Sequence, residues 1–339
     1  MRNEKIRLAV IVMVIATLAM AAYVLLLPGG PEKHIKPLEK VTLGVDVSVI
    51  SAPVWVAENK GYFQSEGLDV KIVDYPSGRT ALVDMLERGN LDMVTVAQTP
   101  VMYNSFSKNN YAIIAAMACS YEDVLMLARE ERGIRTSADL KGKRIGTPAG
   151  SSGHFFLGLF LIHTGLRISD ITVLDIDAPD LPGALADGRV DAIAIWQPHI
   201  HNAQKLLAGE TLLLPSKNIY REDFYLVPNK DFIKKNPPAL KKFLRAVDRA
   251  EVFIHENRDE AIKIVAGRLK INRETIDSFW DSYEFRLFLD QTVLTDLEAE
   301  ARWAILNEFT HAVKIPDYLE FIYTDALLAI KPGAVNIIR

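Results

Sequence analysis

Two stretches of this chain repeat one pattern at a fixed spacing, and that repeat restricts the fold more than any other feature. Gly89-Asn90-Leu91-Asp92 leads into an apolar run that ends at Gln98-Thr99-Pro100, and Gly188-Arg189-Val190-Asp191 leads into a second that ends at Trp196-Gln197-Pro198. The Gly, Asp and Gln positions are each 99 residues apart. The flanks agree with the repeat. In the first copy the residue pattern predicts strands over 41–47, 68–75 and 92–96, with helices over 54–62 and 79–88. In the second it predicts strands over 143–147, 171–177 and 191–196, with helices over 152–164 and 182–187. Each copy is a β-α-β-α-β unit of roughly 60 residues, and strands alternating with short helices predict a parallel sheet covered on both faces. Two such units predict two α/β lobes.

Residues 124–129 and 224–227 are short apolar strands placed where the chain would cross between lobes, so a hinge is expected there. The first lobe is then discontinuous, comprising 40–125 and 224–339, and the second is 126–223. The stretch 236–331 is mostly helical. Pro237-Pro238 opens one helix there, and Thr295-Asp296-Leu297-Glu298 reads as a capping box before another.

The first 39 residues differ from the rest. Arg2, Lys5 and Arg7 precede an uncharged run over 8–27, about 20 residues and so long enough to span a bilayer as a helix. The positive flank comes first, which places the N-terminus in the cytoplasm and the remainder outside. A cleavable signal is the rival reading, with Ala19-Met20-Ala21 as an A-x-A site. The apolar stretch continues past that site through Tyr23 to Leu27, which favours an uncleaved anchor followed by a tether over 28–37. No cysteine lies near the run; the chain has one, Cys119, so an internal disulfide is impossible. A net charge of −4, with no large Lys/Arg cluster, argues against a nucleic-acid partner.

Taken in order, Ala52-Pro53-Val54-Trp55-Val56-Ala57-Glu58-Asn59-Lys60-Gly61-Tyr62-Phe63, Glu66-Gly67-Leu68-Asp69-Val70, Asp139-Leu140-Lys141-Gly142-Lys143-Arg144-Ile145-Gly146, Gly150-Ser151-Ser152 and the second repeat motif carry a family pattern. The chain resembles the periplasmic binding proteins of the nitrate, sulfonate, taurine and thiamine-precursor type, well over 40–230 and loosely beyond. The resemblance implies a type 2, Venus-flytrap fold: two βαβαβ lobes plus C-terminal helices, closing on a small molecule and delivering it to an ABC permease with its ATPase. It implies a monomer on the periplasmic face of the inner membrane, with no cofactor and no catalytic role.

In open α/β sheets, ligands sit beyond the carboxyl ends of the strands. Those ends are loops that begin helices, where free N–H groups and a partial positive charge favour an anion. The ligand-binding candidates are Ser48, Ser51, Gln98, Thr99, Gly150, Ser151, Ser152, Gly153, His154, Trp196, Gln197 and Tyr225. Ser and Thr at these positions also serve as ordinary helix caps, and Gln98 and Gln197 either offer hydrogen bonds to a ligand or tie down their own loops. Arg79 either pairs with an oxoanion or is solvated. A sulfonate-like or carboxylate-like anion with an organic tail leads, and a heterocycle of the thiamine-pyrimidine type stays open. Ser151 and His154 lack an Asp placed to orient the His, and His199 and His201 diverge on a helix, so neither nucleophilic catalysis nor a metal is expected. A membrane-anchored ligand-sensing receptor is the alternative to transport.

Overall fold

The computed structural model describes residues 2–26 and 37–338. Arg2–Leu26 is one helix of 25 residues. The side chains of residues 11–20 are exposed, and among the described residues no helix is long and apolar enough to cross a membrane. The expected tether falls almost wholly outside the described residues. The N-terminal helix and the body that begins at Leu38 are separate compact units.

The strands of the body are, in chain order, β1 (Glu39–Asp46), β2 (Leu68–Tyr75), β3 (Met93–Ala97), β4 (Ala115–Ser120), β5 (Val124–Arg129), β6 (Arg144–Thr147), β7 (Thr172–Asp175), β8 (Ala192–Trp196), β9 (Thr211–Leu214), β10 (Glu222–Pro228) and β11 (Tyr283–Glu284). They form two sheets, ordered β11-β4-β10-β3-β1-β2 and β7-β6-β8-β5-β9. The repeat is visible in both. β1 lies between β2 and β3 and parallel to each, as β6 lies between β7 and β8. A glycine sits at the tight point of each central strand. A Cβ at Gly44 would stand 2.8 Å from Leu91 Cδ1, and one at Gly146 would stand 2.6 Å from Leu181 Cδ2.

The repeated Asp has a structural task. Asp92 Oδ2 accepts from the Thr42 N–H at 2.8 Å, while the Asp92 N–H donates to the Thr42 carbonyl. Asp191 does the same with Arg144, its Oδ2 accepting from that N–H at 2.9 Å. Each Asp therefore clamps its unit's central strand.

The sheets are mixed rather than parallel. β10 runs antiparallel to β3 and β4, and β5 antiparallel to β8 and β9. The reason is topological. The chain leaves the first sheet after Ser120 and enters the second at the carboxyl end of β8, where Val124 pairs with Trp196. It returns after Leu214 and enters the first sheet at the carboxyl end of β3, where Phe224 pairs with Ala97. A strand that enters at the carboxyl ends must run against its neighbours. The links themselves precede the strands at 124–129 and 224–227.

The C-terminal helices cover the first lobe. Pro237–Glu256 and Arg258–Leu269 pack on Ala52–Asn59, and Gln291–Leu306 packs on Gln98–Ser105. Pro237 occupies the first turn, where its missing N–H has no cost. The expected cap at Thr295 is a difference. The helix begins earlier, capped by Asp290, and the Thr295 hydroxyl donates back to the Gln291 and Thr292 carbonyls.

Candidate functional site

The carboxyl ends of the parallel strands in both lobes converge on one small cavity. From the first lobe come Asp46 at the end of β1, Ser48, Ile50, Ser77 and Gly78, and from the second Ser151, Ser152 and Trp196. Asp123, in the outgoing link, and Glu222, at the start of β10, complete the floor with Phe224. Arg79 also lines the cavity, and its guanidinium reaches Asp177 of the other lobe at 3.7 Å.

The polar groups here are buried and incompletely paired. Asp46, Ser48, Asp123, Trp196 and Glu222 are each no more than 5% exposed. Asp46 Oδ2 accepts from the Gly78 N–H at 3.0 Å, while Oδ1 has no partner. Gly78 has to be glycine for this approach, because a Cβ there would stand 2.7 Å from the Thr95 carbonyl oxygen. The Ser48 hydroxyl lies close enough to the Asp46 carboxyl to favour its charged form, yet forms no well-shaped hydrogen bond. Asp123 accepts from the Tyr283 hydroxyl and faces Glu222. Glu222 also lies against Ser152, and its Oε2 has no well-shaped partner. The Trp196 indole N–H has no acceptor among the described residues.

Burial controls the protonation of these acids, because an unpaired carboxylate is costly away from water. Burial pushes Asp46 up to about 7, against the Gly78 N–H and with help from the charge of Asp123. Asp123 is raised by burial, although Glu222 and Tyr283 hold it back. Glu222 is raised well above the usual carboxylate range, by burial and then by Asp123. Two carboxyl groups in contact cannot both ionise cheaply, so the charge of Asp123 adds to the cost of ionising Glu222.

Of the residues the sequence singles out, Ser48, Arg79, Ser151, Ser152 and Trp196 line the cavity. The others do not. Ser51 is buried below it and donates to the Asp46 carbonyl at 2.8 Å. Gln98 spans to the return link, donating to the Arg221 carbonyl at 2.9 Å and accepting from the Asp223 N–H. Gln197 accepts from the His201 N–H at 3.2 Å. Both glutamines thus tie down backbone, the second of the roles open to them. Thr99 is buried beside Tyr220 and Glu300. Tyr225 is buried in the core, and its neighbour Phe224 faces the cavity instead.

The 150–154 loop does less for a ligand than its glycines suggest. Gly150 has φ +71° and rests on the Tyr103 ring. Gly153 permits contact between helix and strand, since a Cβ there would stand 2.6 Å from the Ala194 carbonyl oxygen. The Ser151 hydroxyl donates to the Pro148 carbonyl at 2.6 Å, not into the cavity. His154 packs on Trp303 and Phe309, and its Nδ1 accepts from the Gly150 N–H at 3.3 Å. Burial pushes its imidazole down to about 4, so it is neutral. Neither side chain is arranged for nucleophilic chemistry.

The sequence reading does not single out the three carboxylates, although a signal is present. Glu122-Asp123-Val124 and Glu222-Asp223-Phe224 repeat at an offset of 100 residues. A Glu-Asp pair therefore stands at the mouth of each strand that enters a sheet, and one acid of each pair turns to the cavity. Asp223 turns the other way, to Arg221 at 2.9 Å.

Known proteins bear the same architecture. The chain is 28% identical over 275 residues, 77% of this chain and 80% of that protein, to a Bacillus subtilis (strain 168) protein named "Putative aliphatic sulfonates-binding protein". The structure matches the alkanesulfonate-binding protein SsuA of Xanthomonas axonopodis pv. citri bound to MOPS, with a TM-score of 0.74 at 21% identity over 85% of this chain and 99% of that one. It matches the periplasmic nitrate-binding protein NrtA of Synechocystis PCC 6803 with a TM-score of 0.67 at 17% identity over 87% of this chain and 89% of that one. These likenesses show a two-lobed periplasmic-binding-protein fold. The family model described as NMT1/THI5 like matches residues 49–261, which takes in the cavity from Ile50 to Phe224, and the chain belongs to that family.

Proposed function

We propose that this protein is an extracytoplasmic solute-binding component of an ABC importer, which captures a small organic molecule between its lobes and presents it to the permease. The observation that carries this reading is the cavity itself. Residues of both lobes line it, and buried polar atoms without well-shaped partners face it. Buried polar groups without partners are costly in an empty protein and are retained where a ligand completes them. The names of the relatives bring an aliphatic sulfonate to this cavity as a first ligand to test.

The lobes are those expected, 40–125 with 224–339 and 126–223, with each boundary moved to the adjoining link so that β5 and β10 stay whole. Closure is a rotation about the two links, residues 121–123 and 215–221, as expected for hinges built from short connecting segments. The uncharged run over 8–27 following Arg2, Lys5 and Arg7 holds the protein at the outer face of the inner membrane as a monomer. N-terminal sequencing of the exported protein should begin at or near Met1, and a start near Ala22 would replace the anchor with a signal peptide.

Native mass spectrometry of protein purified without refolding tests the central reading. A small molecule that remains with wild-type protein, and is lost when Trp196→Ala opens the cavity wall, is the expected result. Retention unaffected by cavity substitutions would place binding elsewhere.

A further inference from the structure

The cavity carries a specific charge requirement. Of the charged side chains that line it, Asp46, Asp123 and Glu222 are acidic and buried, while Arg79 is half-exposed at the edge and engaged with Asp177. Two atoms of these acids, Asp46 Oδ1 and Glu222 Oε2, have no well-shaped partner, and neither has the Trp196 indole N–H. Trp196 and Phe224 add aromatic walls, and aromatic faces attract cations. Among the described residues no group of His, Cys, Asp and Glu is arranged to hold a metal ion, which turns the argument to an organic cation.

We propose that the cavity receives the ammonium group of a small organic amine, held by Asp46, Asp123 and Glu222 against the rings of Trp196 and Phe224, with an oxygen on the ligand accepting from the Trp196 indole. This rests on the reading of the protein as a solute receptor and names the ligand class of that site. An ammonium has three donors and no acceptor, which suits carboxyl oxygens that lack partners. A simple anion would instead favour the neutral acids and so reverse the pH dependence expected of an amine.

Proton linkage follows from the same geometry. The groups facing the acids are the Tyr283 hydroxyl against Asp123, the Ser48 and Ser152 hydroxyls, and Arg79 at the edge. Burial holds the acids toward their neutral forms when the cavity is empty. A bound cation favours the charged forms, so binding releases protons, and affinity rises as pH rises through about 7.

The test is calorimetric titration of three probes of one length, 4-aminobutan-1-ol, butane-1,4-diol and butane-1-sulfonate, at pH 6 and pH 8 in two buffers of different ionisation enthalpy. The amino alcohol should bind best, tighten by up to about tenfold per pH unit for each proton released, and release protons to the buffer. Glu222→Gln and Asp46→Asn should each weaken it by about tenfold or more, with thermal melts confirming that each variant folds. The pH shift in the wild-type protein needs no variant. Preference for butane-1-sulfonate, or equal binding of the diol, overturns the charge assignment and leaves the solute receptor standing. Binding of none of the three overturns the amine, and if natively purified protein also carries no small molecule, the receptor reading falls with it.

Discussion

Asp46→Asn is the substitution whose effect the structure defines most fully. The Asp46 carboxyl is buried at the end of β1 and pushed from 3.8 up to about 7, chiefly by loss of water. Below pH 3.8 the group is neutral in both folded and unfolded chains and has no net effect on stability. Between 3.8 and about 7 the unfolded chain ionises and the folded one does not, so stability is lost steadily as pH rises. Above about 7 the loss levels off. A shift of about three units at ~1.4 kcal/mol each makes the full loss about 4 kcal/mol. Asn removes the ionisation and keeps an oxygen for the Gly78 N–H, so the variant escapes the loss. Urea unfolding of ligand-free protein at closely spaced pH values should show the two proteins nearly equal at pH 4. The variant should then gain steadily until about pH 7, ending about 4 kcal/mol more stable. A difference that stays flat between pH 4 and pH 8 would refute the claim that burial of this carboxyl, rather than the hydrogen bond to Gly78, governs its energy.

Other sites give simpler expectations. Gly158→Ala should destabilise by about 1–3 kcal/mol through overpacking, since a Cβ there would stand 2.6 Å from Trp303 Cζ2; thermal melting and Trp fluorescence report it, and unchanged values would show that the ring moves freely. Asp191→Asn should cost about 1–3 kcal/mol at neutral pH. Burial opposes ionisation of Asp191, yet the hydrogen bonds from the Arg144 side chain and N–H hold its carboxyl below 3.8, so the deficit in urea melts should close only as pH falls through that lowered value. Cys119 is buried, with burial pushing its thiol up to about 12, so a thiol reagent should react only after unfolding; rapid native labelling would contradict that placement.

The repeat makes the lobes legible because apolar periodicity reports burial, and burial defines parallel βαβ strands well. It gives β2 to the residue and most other elements within two or three residues. It cannot give the direction of β5 and β10, since an apolar run reads the same in either sense; direction is set by where the chain enters each sheet. The site is less legible for a related reason. Ser151, Gln98 and Gln197 have the chemistry of ligand contacts, but helix ends and links leave backbone groups nearby that need partners, and those groups take them. Asp46, Asp123 and Glu222 do not stand out in the sequence because an acid beside a strand end usually marks a solvated turn. Segments distant in the sequence bury them, and sequence spacing does not show which surfaces meet.

That opposing surface changes the energetics of closure. The contacts between the lobes differ in what they contribute. The Arg79–Asp177 pair is half in solvent at 3.7 Å, and exposed pairs are worth about 0–1 kcal/mol. The packing of Phe155, His154 and Gly158 against Trp303 contributes more, because it joins the helix Ser152–His163 to Gln291–Leu306 through close ring contacts. On the proposed rotation about the links, closure of an empty cavity would act against these contacts, since it would withdraw three carboxyl groups from water and set Asp123 against Glu222. The two Glu-Asp pairs stand where the chain passes between sheets, so that rotation would change the spacing of these acids. A cation that neutralises them favours closure and ionisation together. The empty protein should therefore open more as pH rises through about 7, and a bound amine should reverse that trend.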